Sequence, residues 1–233
     1  MNSYRANAVV VGILFLFAIT TLFIGQAFYN PLFDSLDYLE IVYQNRTTII
    51  IGILIEFLGV LGLAFIPVLL FPVLKPHAEI LARSYISIRL LEVVLLGIAQ
   101  ICKLMLINVS QDYLSSGGTD AAYFQDTGSL IKSALFWNDS GGIIYLLVFV
   151  TGMFMLYPAL YKSRLVPRWL SIWGLVAAVG MFLAVIVATF EILPIAVALM
   201  LMMLTPLQEV TMSIWLIIKG FDPSRIISSS TVA

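Results

Sequence analysis

Six stretches of chain, each about 20 or more mostly apolar residues long, leave little choice of fold: residues 6–28, 47–74, 81–107, 140–161, 166–190 and 194–218. An α-helix rises about 1.5 Å per residue, so each stretch crosses about 30 Å of hydrocarbon with its backbone hydrogen bonds made internally. With 61% hydrophobic residues, 11% charged ones and a mean hydropathy of +1.06, the 233 residues hold too little polar surface to cover a soluble core. The expected architecture is all-α: a polytopic bundle of six transmembrane helices forming one domain over residues 1–233, with the lipid bilayer as its first partner. Arg5 before the first apolar stretch resembles the start of a signal peptide. That stretch is longer than a signal core and lacks a small-x-small cleavage site, so it reads as the first span.

The cations set the expected orientation. A cytoplasmic N-terminus puts Arg5, Lys75, Arg83, Lys162, Arg164, Arg168, Lys219 and Arg225 inside, against Arg46, Lys132 and, at the margin, Lys103 outside. Both termini are then cytoplasmic, in a multi-pass protein of the cell membrane. Trp169 and Trp173 begin the fifth span and Trp215 ends the sixth, as interfacial aromatics do. A net charge of −1, with no basic run or zinc-finger spacing, argues against nucleic acid as a partner. The single cysteine, Cys102, reads as a small core residue.

Against this background three glutamates stand out. Glu56, Glu92 and Glu209 lie deep in apolar stretches, where a carboxylate costs several kcal/mol unless it is paired, protonated or beside a water-filled cavity. On the third span Tyr85, Arg89, Glu92, Gln100 and Lys103 share one helical face, so Arg89 and Glu92 can pair three residues apart while Lys103 snorkels toward the interface. Gly52 and Gly59 share the face of Glu56, which lets a helix approach closely or leaves room beside the carboxylate. Thr205 and Ser213 flank Glu209 by one turn, with Gln208 beside it, and Pro206 exposes the carbonyl of Met202. Depth counting puts all three glutamates near the midplane, so one polar cavity lined by Glu56, Arg89, Glu92 and Glu209 is expected. Its excess negative charge requires at least one protonated carboxyl near neutral pH.

Other patterns read as packing. Gly174 with Ala178, and Gly180 with Ala184 and Ala188, repeat at four-residue spacing as helix contacts do, and Met200, Met202, Met203 and Met212 give the last span an adaptable surface. Between spans three and four, the polar residues 108–139 form the longest connection. Gly117-Gly118 and then Thr119 or Asp120 supply a helix start, and segments 121–124 and 130–137 a surface helix, either a solvated connector or a lid over an outward cavity.

The chemistry that is missing narrows the function. His77, the only histidine, sits in a turn between Pro76 and Ala78, and no nucleophile motif or phosphate loop is present; neither a metal nor a cofactor is expected, and an intramembrane enzyme is the weakest reading. A small permease or an ion- or proton-coupled transporter fits the buried glutamates better. The alternative is a membrane-embedded sensory or partner subunit that binds a small molecule or lipid, and assembly with further copies of the chain stays open.

Several longer motifs carry a family likeness. Leu70-Phe-Pro-Val-Leu-Lys-Pro-His77, Arg89-Leu-Leu-Glu92, Tyr161-Lys-Ser-Arg-Leu-Val-Pro-Arg-Trp-Leu-Ser-Ile-Trp-Gly174, Gln208-Glu209 and Trp215-Leu-Ile-Ile-Lys-Gly-Phe-Asp-Pro-Ser224 resemble the prokaryotic domain of unknown function 4386 family over almost the whole chain. The resemblance implies an integral membrane protein of bacteria or archaea, and it implies no reaction. Leu91-Glu92-Val93 and Gln208-Glu209-Val210 are alike in position if the spans form two inverted halves of three, a likeness of only a few residues.

Overall fold

The computed structural model describes residues 3–117 and 119–225, and among them only helices are formed. They are α1 (Ser3–Phe33), α2 (Tyr38–Gln44), α3 (Arg46–Ser115), α4 (Ala121–Asn138), α5 (Ile143–Ser163), α6 (Arg168–Thr189), α7 (Ile195–Met202) and α8 (Leu204–Ile218). Five helical stretches, Tyr4–Phe33, Arg46–Ser115, Ala121–Ser163, Arg168–Thr189 and Ile195–Ile218, are long and apolar enough to cross a membrane. The protein is therefore an all-helical integral membrane protein.

Prolines decide where the longest of these stretches breaks. The helical path of α3 is interrupted at Ala78, with φ −158° and ψ 61°. Two residues earlier, Pro76 brings no N–H for the carbonyl of Pro72, and the ring crowds that turn. This is the turn expected between the second and third apolar stretches. In the last stretch α7 ends at Met202 and α8 begins at Leu204, just before Pro206, with Met203 between them in a helical conformation (φ −63°, ψ −19°), so the expected span is one helical stretch with a local break.

Elsewhere the helices outrun the apolar stretches. α1 extends from Ser3 to Phe33, and α3 continues eight residues beyond Ile107 to Ser115, into what reads in sequence as a loop. Ser110 explains the extension: its buried hydroxyl donates to the carbonyl of Leu39 at 2.6 Å and accepts from the N–H of Tyr43 at 2.9 Å, tying the end of α3 to the short α2. α4 is continuous from Ala121 to Asn138. Asp120 precedes it in a left-handed conformation (φ 59°) with no side-chain cap bond, so the expected cap is there in position but not in chemistry.

The chain packs as two compact units. The first comprises residues 1–17, 62–93 and 146–233; its core includes Phe15, Ile66, Leu70, Tyr85, Tyr157, Leu170 and Met212. Here the small-residue stripe of α6 is buried as expected, with Gly174 against the ring of Tyr157 and Gly180 against Leu204 and Leu201. The second comprises residues 18–61 and 94–145, around Tyr29, Phe33, Val42, Ile49, Ile53, Leu106, Ile107 and Ile131.

Candidate functional site

The four residues expected to line one cavity have their partners in two clusters, one within each unit. Arg89, Glu92 and Glu209 belong to the first unit and Glu56 to the second.

In the first unit, the face of α3 carrying Tyr85, Arg89 and Glu92 is buried. One helical turn brings Arg89 Nη1 to 2.5 Å from Glu92 Oε1, and Arg89 Nε donates to the hydroxyl of Tyr85 at 3.0 Å. The guanidinium also lies over the rings of Tyr85 and Phe149, 5.5 and 5.6 Å from their centroids. Glu209 of α8 is buried and feels both charges, the Arg89 cation and the Glu92 carboxylate. Its neighbour Gln208 accepts a hydrogen bond from the Tyr157 hydroxyl at 2.5 Å and donates to the carbonyl of Leu170 at 3.3 Å. Ser213 donates back to the carbonyl of Glu209 at 2.6 Å, whereas the hydroxyl of Thr205 is buried without a hydrogen-bond partner. The expected Arg89–Glu92 pair is thus formed, and the buried Glu209 carboxylate lies within its electrostatic field.

The second unit holds the cluster that sequence reasoning saw only in part. Glu56 is buried to 1% exposure, and its Oε2 accepts from the Tyr29 hydroxyl at 2.6 Å and from Lys103 Nζ at 2.9 Å. Lys103 does not snorkel. It is wholly buried, and its ammonium spends its three protons on Tyr29 Oη (2.7 Å), Glu56 Oε2 and Asp139 Oδ1 (3.1 Å) while packing 4.5 Å from the centre of the Tyr29 ring. The reason is a counter-charge close at hand: a lysine beside two carboxylates gains more by pairing than by stretching to the interface. Glu56 Oε1, the other oxygen, is buried without a hydrogen-bond partner, and so are both amide atoms of Gln100.

Helix packing places Glu56 there. A Cβ on Gly52 would lie 2.8 Å from the carbonyl oxygen of Gly25 and 2.7 Å from Cβ of Phe28, while one on Gly25 would lie 2.7 Å from the carbonyl of Gly52 and 2.8 Å from Cβ of Glu56. Gly59 faces Thr21 and Ala18 in the same way. Of the two roles open to these glycines, close helix approach is the one realised, and it delivers the Tyr29 hydroxyl to the carboxylate.

A cavity of about 230 Å³ opens beside this cluster, lined by Tyr29, Phe33, Lys103, Lys132, Phe136 and Asp139 among others. α4 forms part of its wall. Ile131 is buried, Gly128 lies against the ring of Tyr38, and Lys132 donates to the carbonyl of Phe33 at 2.7 Å, so the helix is docked and not a loose connector.

Tyr29, Tyr157 and Asp139 escape a reading of the sequence, for they sit near the ends of apolar stretches where aromatics and acids are ordinary. One signal points to Asp139: Lys103 has no acid three or four residues away on its own helix, where Ala99, Gln100, Leu106 and Ile107 stand. A buried lysine without a local partner demands a distant one. No group of three or more His, Cys, Asp or Glu side chains is placed to hold a metal ion among the described residues.

Residues 10–220 match a protein family described as a domain of unknown function (DUF4386). No curated protein and no solved structure matches the chain.

Proposed function

The chain belongs to the DUF4386 family, whose description supplies no reaction, and from its buried charges we propose that it is a small proton- or cation-coupled permease of the plasma membrane. One observation carries the reading: each unit buries a cation paired with a carboxylate and has a second carboxylate within its field. Lys103 pairs with Glu56 and Asp139; Arg89 pairs with Glu92, and the buried Glu209 lies within electrostatic reach of both. A cluster with one negative charge in excess is costly at low dielectric, and the cost is relieved when it takes up one proton or one small cation. That is the elementary step of coupled transport.

The roles follow from the contacts. Glu56 is the exchanging group of the second unit, because its Oε1 is the buried acceptor left over once Lys103 and Tyr29 have engaged Oε2. Asp139, partly exposed and facing the cavity, connects that group to solvent. α4 acts as the lid of this cavity. In the first unit Arg89 holds Glu92, and Glu209 exchanges. Tyr85, Gln208 and Ser213 position the two, and Gln100 and Thr205 offer polar atoms to a passing ligand. Six spans with both termini cytoplasmic complete the proposal.

Liposomes holding the purified protein and a pH-sensitive dye test it, challenged in turn with sodium and potassium gradients and with a panel of amino acids, sugars and organic amines. Wild type moves protons or the cation with at least one of these solutes, and Glu56→Gln and Glu209→Gln each reduce that movement about tenfold or more while eluting as folded protein. Undiminished flux in both variants removes the reading. The rival, a ligand-binding partner subunit, draws support from a second groove of about 530 Å³ bordered by Asp37, Tyr38, Glu40, Tyr113, Gln125 and Lys132. It predicts binding without flux across the same panel.

A further inference from the structure

We propose that the groove where α5 ends, α6 begins and α8 ends binds the phosphate of an anionic phospholipid headgroup. The groove has a volume of about 450 Å³, and its lining includes Arg164, Arg168, Trp215, Lys219, Asp222 and Arg225. Four cations thus line the groove with one carboxylate, whose Oδ1 accepts from the N–H of Ser224 at 3.0 Å and from its hydroxyl at 2.7 Å.

Basic residues at helix ends are common in membrane proteins because they fix orientation, and for that purpose proximity is enough. Here they are folded around a concavity. The N–H of Asp222 donates to the carbonyl of Leu165 at 2.9 Å, joining the tail to the turn between α5 and α6, and Leu165, Val166 and Phe221 are buried beneath. Two left-handed residues make the turns, Arg164 at φ 56° and Gly220 at φ 75°. At Gly220 the left-handed φ of 75° would strain any side chain, so the turn favours glycine.

Arg5 frees Lys219 for a ligand. Its Nη2 donates to the carbonyls of Ile217 and Ile218, both at 2.8 Å, capping the negative end of α8 that Lys219 would otherwise serve. Arg164, Arg168 and Lys219 are exposed and take part in no ion pair among the described residues; Arg168 lies over the ring of Tyr161, 5.1 Å from its centroid. The start of α6, capped by no side chain, adds the positive end of a 22-residue helix.

Position decides for a lipid over a soluble phosphate. The groove lies where three apolar helices end, beside an aromatic shelf in which Trp169 stacks on Trp173 at 6.4 Å and meets Trp215 edge-on at 6.3 Å. Tryptophans of this kind sit at headgroup level, and basic pockets between helices at that level take phospholipid phosphates.

Native mass spectrometry of the full-length protein in detergent, with equal amounts of phosphatidylglycerol and phosphatidylcholine, tests the site. Wild type is expected to retain phosphatidylglycerol preferentially. Arg168→Gln with Lys219→Gln should cut that preference about 30-fold, and Arg164→Gln alone about fivefold, should the double variant not fold. Lys75→Gln with Lys162→Gln removes the same charge outside the groove and should leave the preference intact. No preference in wild type, or an equal loss in the two double variants, overturns the proposal. So does displacement of the lipid by millimolar inorganic phosphate, which would assign the groove to a free anion.

Discussion

Lys103 makes the case that a buried charge is defined by its partners and not by its depth. Its ammonium holds Glu56, Asp139 and Tyr29 together, so removing it strands two carboxylates at once. Lys103→Met, close to it in length and apolar, should lower stability by about 3–5 kcal/mol, because an uncompensated buried charge remains. Adding Glu56→Gln should recover more than half of that loss, since the amide is neutral and still accepts from Tyr29. Equilibrium unfolding in detergent, followed by circular dichroism across this mutant cycle, supplies the comparison; a double variant no more stable than Lys103→Met would mean that the ion pair is not what Lys103 contributes. The Arg89–Glu92 pair needs only helical phase to be read from sequence, because both members lie on one helix. The Glu56–Lys103 pair joins residues 47 positions apart, and no local rule brings those together.

At the scale of elements, glycines govern how closely helices meet, and not all glycines do so. Gly25 and Gly52 face each other's carbonyls, and Gly52 is one helical turn from Glu56, so a bulky residue there pushes the helices apart where the Tyr29 hydroxyl must reach the carboxylate. Gly52→Val should therefore cost about 1–3 kcal/mol, and it should also impair any function that depends on Glu56. Gly97, by contrast, faces open space: a methyl group added there would meet nothing within 4 Å, and Gly97→Ala should be neutral or slightly stabilising. Melting temperatures of the two variants side by side make the test, and equal losses would refute the contact. Sequence pattern identifies the stripe on α6 and the glycine face of Glu56 as candidates for contact. It does not foresee α2, whose seven residues are held by Ser110 from another part of the chain, nor the extension of α3 past Ile107, which the same hydroxyl stabilises. Composition sees the apolar core of a helix well and its polar continuation poorly.

On the scale of the whole molecule, hydropathy reads as one bundle of successive spans, whereas packing gathers residues 1–17, 62–93 and 146–233 into one unit and 18–61 with 94–145 into the other. Each unit is assembled from segments far apart in the chain, a partition that hydropathy does not carry. What hydropathy does carry, through the cations, is orientation, and that can be measured. Leu36, 98% exposed between α1 and α2, is expected on the outer side, and Ser224, exposed beyond α8, on the inner side together with Arg164, Arg168 and Lys219. The lone cysteine makes the measurement clean: with Cys102→Ala as background, Leu36→Cys should react with a membrane-impermeant maleimide in intact cells, and Ser224→Cys only after permeabilisation. The opposite pattern would invert the protein. Reaction of both positions in intact cells would break the odd number of crossings between them, and with it the six-span topology on which an outward cavity beside Lys103 depends.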